Sequence, residues 1–177
     1  MSQQPKTYIS LAVANFFVQQ SLKTGIQLTP MKLLKLVYIA HGWSLALFGK
    51  PLISEAVEAW DYGPVIPNVY DNFKSYRASQ ITDMAKIYTG SKIVVPMIDP
   101  EDKPALALLE KVWATYGQRD ALYLSTITHL PNTPWSNARN LYGKNAIITQ
   151  DSIKEHYMKL SNATRANATR LASSVTG

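Results

Sequence analysis

The chain has 177 residues, 46% of them hydrophobic and 17% charged, with no cysteine and a formal net charge of +6 at pH 7. That length and apolar content suffice for one domain with a real core and exclude wholesale disorder, and the lack of cysteine excludes disulfides, thiolate nucleophiles and cysteine-based zinc or iron–sulfur sites. The positive charge favours an acidic partner over a basic one, but the Lys and Arg residues are scattered and form no stripe, so nucleic-acid binding is not the expectation.

The opening Met1-Ser2-Gln3-Gln4-Pro5-Lys6 lacks the basic run, apolar core and cleavage site of a secretory signal. No stretch approaches the roughly 20 apolar residues of a membrane span. A cytoplasmic address without membrane insertion is therefore expected, and the glycosylation triplets at Asn162 and Asn167 are read as chance.

Helical periodicity begins at Tyr8–Lys23, with Ile9, Val13, Phe16 and Phe17 in register and Thr24-Gly25 as the stop. Thr29-Pro30 then forms an N-cap followed by proline at the first helical position, opening a helix to about Phe48. This second helix is apolar on most of its circumference, leaves Lys32, Lys35 and His41 for a narrow polar edge, and belongs near the middle of the fold. Too few polar side chains are left on it for a DNA recognition helix.

Glu55–Tyr62 alternates as a short strand that Gly63-Pro64 closes, and a helix follows from Pro67 to about Tyr76, with Val69, Tyr70 and Phe73 inward. Residues 78–103 are less regular, apart from the β-branched run Lys92–Met97, a candidate partner for the earlier strand. Asp102 and Pro104 start a further helix that ends at Gly117, Ala121–His129 forms another, and a turn through Pro134-Trp135 leads into one or two helical turns reaching Asn140. After an extended piece at Ala146–Ile148, Thr149 or Ser152 caps a last helix to Leu160. Residues 161–177, with a five-residue repeat lacking large apolar side chains, form a flexible or weakly helical basic tail on a domain of residues 1–160. The fold class is α+β and predominantly α-helical: a compact helical domain with a small antiparallel β element of two or three short strands.

Candidate chemistry is sparse. His41, His129 and His156 lack the spacing that presents two ligands to one metal, and the isolated glycines form no phosphate-cradling loop, so no cofactor or metal is expected. Glu55, Glu58 and Asp61 are better read as an acidic strand edge, or as partners for Lys32 and Lys35, than as an acid–base pair. Ser125 lies near His129 but in no nucleophile elbow, and His129 is expected to tie down loop backbone. No enzymatic activity is anticipated.

Three blocks in order carry a resemblance: Met31–Trp43, then Glu58-Ala59-Trp60-Asp61-Tyr62-Gly63-Pro64-Val65-Ile66-Pro67-Asn68-Val69-Tyr70, then Leu124–His129 followed by Pro134-Trp135. Together they resemble the Panacea domain family of SocA-like antitoxins and phage-associated GepA proteins, over about residues 8–160. The first block departs from the family's common run of two tyrosines, having Val37-Tyr38. The resemblance implies an antitoxin of prophage or mobile-element type that neutralises a cognate toxin, encoded by the adjacent gene, by direct protein binding; a proteolytic-adaptor role and a DNA-binding regulator are the alternatives. Trp60, Tyr62, Gly63, Pro64, His129, Pro134 and Trp135 are read as scaffold, with Trp60 and Tyr62 buried on one strand face. Tyr70, Tyr76 and Tyr88, as exposed aromatics, and Lys32 and Lys35 are the candidate partner-binding residues.

Overall fold

A computed structural model describes residues 4–175, with side chains through residue 170; Met1, Ser2 and Gln3, on which the reading of the N-terminus partly falls, lie outside the described residues, as do positions 176 and 177. At the centre stands α2 (Pro30–Phe48), capped by the Thr29 side chain, with Pro30 at its first turn and Gly49 in the left-handed conformation at its end. Around it pack α1 (Ser10–Thr24), α3 (Pro67–Phe73, continued by a 3-10 turn at Lys74–Tyr76), α4 (Lys103–Tyr116), α5 (Ala121–His129) and α7 (Gln150–Val175), while α6 (Pro134–Tyr142) joins the sheet to α5 and α7. Leu33, Leu36, Val37, Ile39 and Ala40 of α2 are all within 1% of full burial. At about 1.5–3 kcal/mol for each large side chain, this helix organises the core.

Two expectations for α2 are corrected. By length and composition it could cross a membrane, although no such stretch was anticipated; here 72% of the qualifying window is buried against the other helices. The anticipated polar edge is buried too: Lys32 is 5%, Lys35 1% and His41 1% exposed. Helices pack around α2 so closely that every residue from 32 to 42 is buried, and exposure is left to Met31 and Leu47 near its ends. Burial pushes the His41 imidazole down to about 4, and its Nδ1 accepts the Ile53 amide at 3.4 Å. Gly42 lets the ring of Tyr157 from α7 lie directly on the α2 backbone, with Trp43 and Tyr38 packed edge-on around it.

The sheet has strand order β2-β1-β5, antiparallel throughout, from β1 (Val57–Trp60), β2 (Gly63–Val65) and β5 (Ile147–Ile148). Gly63-Pro64 does not close the strand but begins the return one; the turn is Asp61-Tyr62, with Trp60 opposite Gly63. Pro64 is tolerated because β2 is an edge strand, where a missing N–H is harmless. Lys92–Met97 does not join this sheet. Its β4 (Lys92–Val94) pairs instead with β3 (Ile87–Thr89), a strand not anticipated, across Gly90-Ser91 with Gly90 at φ 59°. A two-residue hairpin closes a far shorter loop than pairing with residues 57–60 would. Buried Asn15 anchors this arm to α1, donating to Ala85 O and Pro96 O and accepting from Ala85 N.

Helix α1 begins after Ile9, which has no side chain able to cap it. Glu55 supplies the missing acceptor: its carboxylate takes the Ser10 amide at 2.8 and 2.9 Å, the Ser10 hydroxyl at 2.6 Å and the Asn68 amide at 3.0 Å. Burial raises its pKa, but the bonds from Ser10, Asn68 and Ser54 outweigh that and hold it below the usual carboxylate range. Glu55 is thus a remote helix cap rather than a partner for Lys32 or Lys35. Glu55→Ala should lower stability by about 1–2 kcal/mol in urea unfolding. Because the folded pKa is depressed, this contribution is present above the unfolded carboxylate pKa and is lost as pH falls through the folded one; a wild type–variant difference unchanged down to acid pH would contradict the assignment.

Thr149 caps α7 through the Ser152 amide, and the helix does not stop at Leu160 but continues to Val175. Alanines favour the helical backbone, and the Thr164 and Thr169 hydroxyls bond to the carbonyls one turn back, on Leu160 and Arg165. What changes after residue 160 is burial, since residues 162–170 are all exposed.

Candidate functional site: a cleft over Lys35

A cleft of about 470 Å³ lies between the start of α2, the β1–β2 hairpin and α3 with its 3-10 turn. Met31, Leu34, Trp60, Val65 and Tyr70 make it largely apolar, Tyr62, Lys74 and Arg77 also line it, and Lys35 reaches it from α2. Trp60 and Tyr70 meet edge-on at 5.0 Å, and the Trp60 indole donates to Glu58 at 2.7 Å, which fixes that wall. Tyr62 is 74% exposed and not buried beside Trp60, because the two-residue turn takes it out of the strand.

The Lys35 amine, the cleft's buried charge, has one hydrogen-bond acceptor among the described residues, Pro64 O at 3.1 Å. Burial alone pushes its pKa down to about 7. Gly63 makes room for it. Its φ of +105° disfavours any L side chain, and a Cβ there would lie 2.7 Å from Lys35 Nζ and 2.8 Å from His129 Cε1. Behind the hairpin, His129 lies tilted against Trp135 with centroids 4.1 Å apart, and the Trp135 indole donates to Trp60 O at 2.8 Å. Pro134 sits in the first turn of α6, whose cap is Thr133. Asp61 is gripped by Lys144 and Arg139, each at 2.9 Å, which hold its carboxyl below the usual range.

Of the five anticipated partner-binding residues, Tyr70 and Lys35 come together in the cleft. The other three lie elsewhere. Lys32 donates to Gln27 O at 2.8 Å and Gly117 O at 2.6 Å, tying the start of α2 to the end of α4, and burial lowers its pKa against the opposing pull of Asp120. The Tyr76 hydroxyl donates to Asp83 at 3.2 Å, and Tyr88, 73% exposed, stands on the separate β3–β4 hairpin. Met31, Leu34, Lys74 and Arg77 were missed. Their only sequence signal is position: Met31 and Leu34 share a helical face with Lys35, and Lys74 lies one turn beyond Tyr70.

The geometry does not support nucleophilic chemistry at Ser125. His129 Nδ1 lies 2.6 Å from Ser125 O and 3.4 Å from Ser125 Oγ, so the nitrogen that would take the hydroxyl proton is the one that donates its own to the carbonyl. Among the described residues no three His, Cys, Asp or Glu side chains are grouped so that they could hold a metal ion.

A family model described as "Antitoxin SocA-like, Panacea domain" matches residues 33–136, more than half of the chain. The chain belongs to this family. A curated relative, Antitoxin SocA of Caulobacter vibrioides (strain NA1000 / CB15N), is 32% identical over 148 residues, covering 82% of this chain and 78% of that protein. No solved structure matches. In this Panacea domain the matched segment runs from inside α2 to just past Trp135, so it includes Lys35 below the cleft, both walls above it and the His129–Trp135 buttress, while α7 lies outside it.

Proposed function

We propose that this chain is an antitoxin that neutralises a cognate protein toxin, encoded by the adjacent gene, by direct binding, and that the toxin docks on the cleft over Lys35. The observation that carries this reading is the cleft itself: concave, walled by Trp60 and Tyr70, and set above a buried amine. Aromatic anchors surrounding a desolvated polar group are the usual core of a protein interface. The family supports the same reading, since the relative it resembles is named an antitoxin. Tyr70 and Lys35 make the central contacts and Tyr88 is an outlying anchor, while Lys32 holds the surrounding backbone and the Tyr76 hydroxyl is engaged by the Asp83 side chain. Neutralisation requires only occupancy of the toxin, and the charge of +6 speeds encounter with an acidic partner.

The test is co-expression and gel filtration with the neighbouring gene's product. A stable complex and rescue of growth are expected, with Tyr70→Ala weakening the complex about 10- to 100-fold, as expected of an aromatic hot spot, while its circular dichroism stays native. Unrelieved toxicity would refute the antitoxin reading. Retention on DNA that falls steeply with salt, without a protein complex, would favour the regulator instead.

A further inference from the structure

Three cations reach the cleft from different elements: Lys35 on α2, Lys74 at the end of α3 and Arg77 just after it. Lys74 is paired with Asp71 at 2.7 Å. Among the described residues neither Lys35 nor Arg77 makes an ion pair, and the carboxylate that lines the cleft, Asp61, is already held by Arg139 and Lys144. The unbalanced positive charge therefore sits at the floor and rim of the same cavity.

Both unpaired cations are held at a cost to the fold. Arg77 has φ 54° and ψ −112°, a conformation that suits glycine and strains other residues. The other two non-glycine residues at positive φ among the described residues are Asn132 and Asn145, a residue type that tolerates it. Lys35 is 1% exposed and has, among the described residues, a single acceptor for three N–H groups. Strain at Arg77 and incomplete pairing at Lys35 converge on one cleft, and an arriving acceptor would pair both side chains and offset the strain.

We infer that the cleft is a carboxylate-recognition site, in which an acidic side chain on a projecting segment of the protein partner is received between Lys35 and Arg77, with a large apolar neighbour resting on Trp60 and Tyr70. This rests on the protein-docking reading above and specifies its chemistry. Arg77 offers a planar fork that matches a carboxylate, Lys35 a point charge beneath it, and the apolar walls strengthen both by excluding water.

Proton linkage follows. The free Lys35 amine changes charge at about pH 7, and a bound carboxylate favours the charged form, so binding takes up a proton above that pH. Affinity should be greatest below about pH 7 and fall up to tenfold per pH unit above it. The other charged or titratable groups facing Lys35 are Asp61 and Tyr62 on the hairpin, Tyr70 on α3, Lys74 in the 3-10 turn and Arg77 after it, and His129 on α5.

The deciding measurement is calorimetric affinity for the purified neighbouring-gene product at about pH 6.5, 7.5 and 8.5, using wild type, Lys35→Met and Arg77→Gly. Neither variant should lose the fold, because methionine removes an unpaired buried charge and glycine relieves the strain. Each should weaken binding at least tenfold at the lowest pH, and Lys35→Met should abolish the pH slope. Among Asp→Asn and Glu→Gln variants of the partner, one should lose as much affinity and lose little more in combination with Lys35→Met. If the complex forms but both variants bind like wild type, or the slope persists without Lys35, the carboxylate assignment is overturned and docking survives. Failure of the wild type to bind overturns both.

Discussion

Alanine in place of Gly42 is expected to destabilise the chain by about 2–4 kcal/mol, measured as a fall in urea midpoint at unchanged slope. A Cβ at that position would overlap the Cε2, Cδ2 and Cζ carbons of the Tyr157 ring, inside any tolerable contact. The ring has nowhere to retreat. It is 4% exposed and enclosed by Tyr38, Trp43 and His156. Alanine's better helix propensity returns only about 1 kcal/mol, so overpacking wins. Because the clash is with one side chain, Gly42→Ala combined with Tyr157→Leu should lose less than the sum of the two single losses. Unchanged stability in Gly42→Ala would mean that α2 and α7 do not pack this closely.

Local chemistry was legible in the sequence wherever it was sufficient. Thr29-Pro30 and Asp102 with Pro104 each start a helix where the capping rules put it, because satisfying a free amide three residues on needs no tertiary information. Pairing decisions were less legible. Lys92–Val94 looked like a partner for β1, but β1 is flanked by β2 and β5, and nothing in a β-branched run names its neighbour. The cleft was legible only in halves. Tyr70 and Lys35 could be singled out by type, whereas Arg77 and Lys74 are ordinary surface cations until α3 folds back toward α2. The lysines misled for a physical reason: periodicity assigns charge to water, yet their long stems let Lys32 reach Gln27 O and Gly117 O, and Lys35 reach Pro64 O, from a buried face.

Lys35→Met should therefore make the fold more stable while weakening partner binding. An unfolded lysine titrates near 10.4 and the folded one at about 7, so keeping this amine inside costs on the order of 4 kcal/mol at neutral pH. Losing its bond to Pro64 O returns about 1–2 kcal/mol of that, leaving a net gain of about 2–3 kcal/mol for the variant. The sign of the pH dependence checks the cause. With the folded pKa depressed, the unfolded chain holds more protons between about pH 7 and 10, so the penalty is full below pH 7 and shrinks as pH rises. Wild-type stability should accordingly approach that of Lys35→Met between about pH 7 and 9; above that the buried Tyr38 and Tyr157, whose pKa values burial raises, begin to oppose folding. Urea midpoints across that range decide the matter, and a variant no more stable than wild type at pH 7 would show that Lys35 carries no such penalty. A side chain that weakens the fold by this much, where a methionine would serve the core better, is what the proposed docking at the cleft would account for.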